Sequence, residues 1–329
     1  MREISTSKKI LDALREKGLL TPEAYAKATT LFSAPPSLDA LFDDEQAPPP
    51  IEHAGGTHKL VALSPDHPGF SDTDYRERRN TIAALGLAYK SGSEIPHAHY
   101  TETEHAVWSQ IRAKLDPLHD RLVCRELNAL KSLIALPTDR IPQLQEVSET
   151  LERLAGFRME PVAGLVNPRT FLSYLGRRVF LSTQYIRHHS KPLYTPEPDI
   201  VHELVGHAAS LAHPGIAEVN RLFGRAAEQA TDTEVTRLER VYWYTFEFGL
   251  TRENGEIKAV GAGHLSSIEE LEGFQTNPAL GPWDLDLIAR TDYDPTRLQE
   301  TLFVSPSFTH MLADVSCWMR QQRWRDAHA

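Results

Sequence analysis

The chain has 329 residues, a formal net charge of −10 and 41% hydrophobic residues; that is long enough for one large or two smaller domains around a buried core, and too acidic for a nucleic-acid or anionic-membrane footprint. Its two cysteines, Cys124 and Cys317, form no Cys-x-x-Cys, which excludes a disulfide framework and a thiolate-ligated zinc or iron–sulfur centre. No apolar run approaches the roughly 20 residues that span a bilayer and no signal-peptide stretch is seen, so a cytoplasmic protein with a small-molecule ligand, without nucleic acid or membrane, is expected.

In chain order, residues 1–32 read as two short helices. Ile10, Leu11 and Leu14 form a stripe that stops at Gly18, and Thr21-Pro22-Glu23 supplies a Thr cap with Pro at the first helical position. A linker follows, marked by Pro35-Pro36, Pro48-Pro49-Pro50 and Gly55-Gly56. The expected organisation is an N-terminal helical extension and Pro-rich linker over 1–59 and a single catalytic domain over 60–329. Apolar residues at helical spacing predict helices over 74–89, 101–134, 142–154, 214–230, 232–248 and 308–320, the third ended by Gly156. Period-two alternation is confined to 179–185 and 258–260. The fold class expected is mainly α with a few short β-strands.

The segment His202-Glu203-Leu204-Val205-Gly206-His207, followed by Glu247 within Tyr242-Trp243-Tyr244-Thr245-Phe246-Glu247-Phe248-Gly249-Leu250, offers two imidazoles and one carboxylate. That is the ligand set of a mononuclear non-heme Fe(II) site, which leaves one face of an octahedron open. The His pair alone fits two partly buried core histidines equally well, since the chain holds 15 histidines. A zinc protease needs ligands at i and i+4. Here the second His is at i+5, about 140° around an ideal helix at roughly 100° per residue. Both can reach one metal only if the helix ends or distorts between them, and Gly206 is where distortion is tolerated. Glu247, amid aromatic and apolar neighbours, is expensive to bury without a cation.

Residues 180–207, including Tyr185-Ile186-Arg187-His188 and Thr195-Pro196-Glu197-Pro198-Asp199-Ile200-Val201-His202, resemble the signature of the pterin-dependent aromatic amino acid hydroxylases. So do Asp66-His67-Pro68-Gly69-Phe70, Ile141-Pro142-Gln143-Leu144, Pro161-Val162-Ala163-Gly164-Leu165, the segment around Glu247, and Gly261-Ala262-Gly263 with Ser266-Ser267. The resemblance implies a single hydroxylase-like catalytic domain in which His202, His207 and Glu247 bind Fe(II). It implies that Phe171 stacks on a tetrahydropterin whose edge meets the backbone of Gly164, Leu165 and Val166, with Glu203 beside it and Tyr242 near iron and pterin. Arg187 would pair with the substrate carboxylate, helped by Thr195 and Ser266, while Pro198, Trp243 and Phe248 would wall the ring. Taken singly, Phe171, Trp243 and Phe248 read equally as core aromatics, and Arg187 as a structural ion pair.

Several positions depart from the family pattern: Leu181 and His264 beside the matched pocket segments, Glu239 and Arg240 beside the expected pterin region, and Pro295 about where tyrosine hydroxylases carry an Asp. Neither a regulatory domain nor a tetramerisation arm is recognised, so a monomer or dimer rather than a tetramer is expected. The implied activity is ring hydroxylation of a free aromatic amino acid with O2, with L-phenylalanine, giving para- or meta-tyrosine, placed first. Tryptophan 5-hydroxylation is the alternative within the class, and a zincin-like metal-dependent hydrolase the alternative outside it.

Overall fold

The computed structural model describes Leu63 and residues 67–193, 197–276, 278–295 and 297–321. The two helices expected before residue 33, the whole linker and Thr195 lie outside the described residues.

Helix α1 (Thr73–Ala88) starts where the Asp72 side chain accepts the Tyr75 N–H at 2.9 Å. Helix α2 (Glu102–Leu122) opens on a reciprocal capping box between Thr101 and Glu104 and buries Trp108, Ile111, Leu115 and Leu118 along one face. The single helix expected over 101–134 is interrupted. Val123 and Cys124 are extended, and the Cys124 N–H goes to the Ala259 carbonyl at 3.0 Å instead of back along the helix. A strand edge has won those backbone groups, and the chain restarts as α3 (Arg125–Ile134). Helix α4 (Leu144–Ala155) stops at Gly156, as expected.

Strand β1 (Arg158–Pro161), crossover helix α5 (Pro168–Gly176) and β2 (Val179–Ser182) form a parallel βαβ unit with Arg158 opposite Val179 and Pro161 opposite Ser182. Both strands are almost wholly buried, and β1, Arg158-Met159-Glu160-Pro161, is too short for its alternation to register. Helices α6 (Pro214–Gln229) and α7 (Asp232–Tyr242) pack beside α5.

A second sheet holds β3 (Leu250–Glu253), β4 (Glu256–Ala259), β5 (Ala279–Gly281) and β6 (Thr301–Ser305) in the order β4-β3-β6-β5. The hairpin β3–β4 turns on Asn254-Gly255, with φ of 51° and 86°. Asn-Gly is the residue pair that a two-residue turn of this hand favours, a hairpin signal that the sequence carries. Short helices α8 (Ala262–Ser266), α9 (Ile268–Gly273) and α10 (Leu285–Ile288) lead to the last helix, α11 (Phe308–Gln321). Among the described residues no helix is long and apolar enough to cross a membrane.

Candidate metal centre

Two π-helical stretches build the site. The first, His202–Ala208, lies between β2 and α6; the second, Trp243–Glu247, extends α7. In a π-helix the hydrogen bond closes from i to i+5, as Phe248 N–H to Trp243 O does at 2.8 Å. Residues five apart then stand nearly above one another. The spacing that separates His202 and His207 on an α-helix therefore brings them together here, and distinguishes the segment from a zinc-protease helix. Gly206 serves a close approach: a Cβ there would lie 2.8 Å from the Ala262 carbonyl oxygen, so α8 rests directly on the π stretch.

The two His Nε2 atoms are 3.0 Å apart; Glu247 Oε1 is 3.0 Å from His207 Nε2, and Oε2 is 3.5 Å from His202 Nε2. Two atoms bound about 2.1 Å from one cation at right angles are about 3.0 Å apart, so the His–His edge and the His207–Oε1 edge match neighbouring positions of an octahedron, while Glu247 approaches His202 with its other oxygen. Ser266 Oγ donates to Ala262 O at 2.8 Å, which leaves it accepting from His202 Nδ1–H at 2.9 Å. The proton on Nδ1 leaves the Nε2 lone pair aimed into the site. Burial and the neighbouring His207 bring His202 down to about 4, so its ring is neutral, as a metal ligand requires. Burial alone would lower His207, but the Glu247 carboxylate takes it above its usual value, and the two histidines hold Glu247 below its own. A lone pair facing a second imidazole and a carboxylate suits a divalent cation. The donor set, two nitrogens and one oxygen, suits Fe(II).

The triad borders a cavity of about 150 Å³ lined also by Gly164, Leu165, Val166, Phe171, Pro198 and Glu203. Phe171 meets Phe180 and Tyr242 edge-on, at 5.5 and 5.7 Å between centroids. Leu165 is 56% exposed at the mouth. Glu203 accepts the N–H and hydroxyl of Thr183 at 3.0 and 3.1 Å, and burial raises its carboxyl to about 7. Leu181 also lines the cavity. The Tyr242 hydroxyl points elsewhere, donating to Asn220 at 3.0 Å.

Contacts differ from those expected at Arg187, Ser266, Glu239 and Arg240. The bidentate edge of Arg187, Nε and Nη2, is taken by Asp199 at 2.8 and 2.7 Å, in a pair that is almost fully buried. Only the Nη1 side is left, 3.5 Å from the Ser266 carbonyl. Ser266 itself orients His202 through its hydroxyl. Glu239, expected beside the pterin, hydrogen-bonds the Tyr293 hydroxyl, and Arg240 pairs with Asp292. Trp243 and Phe248 lie against each other at 4.7 Å, and Phe248 meets His264 at 5.4 Å. His264 is fully buried, with both ring nitrogens unpartnered and its basicity pushed down to about 3 by burial. Pro295 is exposed. Sequence reasoning missed Thr183, Asp199, Tyr293 and Gln299, whose residue types carry no signal outside their partners. A second group, Asp72, His188 and His189, also has ligand atoms within 4.8 Å of one another. There His188 Nδ1 already accepts the Ser190 N–H, which leaves Nε2 as the donor to Asp72.

A family model described as biopterin-dependent aromatic amino acid hydroxylase matches residues 57–324. Tyrosine 3-monooxygenase of Mus musculus is 44% identical over 262 residues, 77% of this chain and 53% of that one. A chloroplastic phenylalanine 4-monooxygenase of Pinus taeda is 45% identical over 260 residues, 78% of this chain and 71% of that one. The chain thus spans about half the length of most relatives it matches. Among solved structures, Chromobacterium violaceum phenylalanine hydroxylase with iron(III) and 7,8-dihydrobiopterin superposes with a TM-score of 0.67 at 28% identity, covering 76% of this chain and 92% of that one.

Proposed function

The chain belongs to the biopterin-dependent aromatic amino acid hydroxylases, and on that premise we propose that it is an Fe(II)- and tetrahydropterin-dependent monooxygenase of free aromatic amino acids, L-phenylalanine first. The observation that carries the reading is the triad of His202, His207 and Glu247, with edges of 3.0 to 3.5 Å, on the wall of a cavity that Phe171 and Glu203 also line. Iron and reduced pterin, when bound, supply the oxygen chemistry. The side chains supply position. Ser266 holds His202 in the tautomer a metal needs. Phe171 offers a flat face to a planar heterocycle, the backbone of 164–166 its hydrogen-bonding edge, and the Glu203 carboxyl a partner for ring N–H groups. Asp199 fixes the Arg187 guanidinium, so that a substrate carboxylate meets its Nη1 side, with Thr195 as a helper. Trp243, Phe248 and Pro198 wall the substrate ring and keep water from it.

Phenylalanine is placed first because the proposed ring wall, Trp243, Phe248 and Pro198, is apolar and offers a phenolic hydroxyl no partner. Tyrosine is the second reading, favoured by the tyrosine 3-monooxygenases among the relatives. The test is kcat/KM for phenylalanine, tyrosine and tryptophan with Fe(II), tetrahydropterin and O2. Phenylalanine should lead. A clear preference for tyrosine selects the second reading, and turnover of none of the three sinks both.

A further inference from the structure

Trp243 is held from several sides by residues outside the metal triad. Its indole lies parallel to the Tyr293 ring, with centroids 4.1 Å apart and planes 12° apart. Its Nε1–H donates to Gln299 Oε1 at 2.9 Å. Gln299 is itself fixed, since its amide nitrogen donates to the Asp294 and Arg297 carbonyls at 3.1 and 2.9 Å. With both amide protons used, only the oxygen is left to face the indole. The Tyr293 hydroxyl donates to Glu239 Oε1 at 2.5 Å. Glu239 lies on α7, one turn before Trp243. Tyr293 therefore bridges one helix face, bonded to the first residue and stacked on the second. A stack fixes the plane of an indole, and an in-plane hydrogen bond fixes its rotation within that plane.

We propose that Glu239, Tyr293 and Gln299 are positioning residues that lock the plane of Trp243 and so decide which carbon of the substrate ring is presented for hydroxylation. The proposal rests on the reading of Trp243 as a wall of the ring pocket. Glu239 touches neither metal nor cavity lining; it acts through Tyr293, and Gln299 acts through the indole N–H. Ring presentation is sensitive to such a lock, because misplacement by one ångström costs about a hundredfold in rate.

The test measures product formed per pterin oxidised, the ratio of ring-hydroxylated isomers, and both Michaelis constants. Glu239→Ala and Tyr293→Phe remove the same hydrogen bond from opposite ends. Each should lower the product-to-pterin ratio by about two- to tenfold and broaden the isomer mixture, with the Michaelis constant for pterin unchanged. The double variant should be no worse than the worse single one, because only one bond is lost. Glu239→Gln keeps an acceptor and should restore the wild-type ratio, while Gln299→Leu should shift it in the same direction as Tyr293→Phe. Should Glu239→Ala fold poorly, Tyr293→Phe, which keeps the stack, carries the test alone. Wild-type ratios in Tyr293→Phe, or a pterin Michaelis constant that rises with the defect, overturn the clamp. Failure of the underlying reading would show instead in the wild type, as no hydroxylation of any aromatic amino acid.

Discussion

The candidate ligand set was legible as a group, because two histidines near a carboxylate stranded among aromatics make sense around a cation. The supports of that set were not. Ser266 hydrogen-bonds His202 and Thr183 holds Glu203, but a serine on a short helix and a threonine after a strand look ordinary in a sequence. Glu247→Ala is expected to retain the fold and lose stoichiometric Fe(II), measured by metal analysis after desalting; full iron retention would remove Glu247 from the site. Ser266→Ala should weaken metal affinity by about 10- to 100-fold, the usual cost of losing a partner that orients a ligand. A competitive chelator titration reads it, and wild-type affinity would leave Ser266 without that role. Arg187 teaches the opposite lesson. Its bidentate partner is Asp199, buried at 0% side-chain exposure. Arg187→Ala should therefore cost about 3–5 kcal/mol of stability by stranding that carboxylate, beyond any effect on substrate affinity. Urea unfolding checks this, and removing Asp199 as well should recover part of the loss. A near-neutral Arg187→Ala would contradict the buried pair.

At the scale of elements, long amphipathic helices were readable because the 3.6-residue period persists over several turns, as in α4, α6 and α11. The break between α2 and α3 was not, since Leu122-Val123-Cys124 contains no breaker; a hydrogen bond to Ala259, 135 positions away in sequence, decides it. The strands β1, β5 and β6 span three to five residues, too few for a period to register. The π stretches were half legible. The i+5 spacing demanded a distorted helix, and the distortion is one that makes i+5 the natural repeat. Gly206 should prove indispensable to it. Gly206→Ala forces a methyl into the Ala262 carbonyl, where a gap of 2.8 Å leaves no room, and overpacking of this kind costs about 1–3 kcal/mol. Thermal unfolding with and without metal separates the two consequences expected: a lower midpoint, and weaker metal affinity as α8 moves with Ser266. Unchanged stability and affinity would mean that the contact is slack.

For the whole molecule, the βαβ unit, the two π stretches and α8 converge on one point from widely separated parts of the chain, so metal binding should be linked to global stability. A cation that binds only the folded state stabilises it by about 2.7 kcal/mol at a hundredfold excess over Kd. Anaerobic Fe(II), or redox-inert Co(II), should raise the unfolding midpoint of the wild type and leave that of His202→Ala unmoved. The central claim is that this converged site inserts oxygen into an aromatic amino acid, and isotope-labelled O2 tests it most directly. Phenylalanine, Fe(II) and tetrahydropterin would be incubated with the chain under labelled O2, and the products read by mass spectrometry. The account predicts one labelled oxygen atom in a hydroxylated ring, and none from Glu247→Ala. Unlabelled hydroxylated product, or equal labelling in wild type and Glu247→Ala, would contradict it.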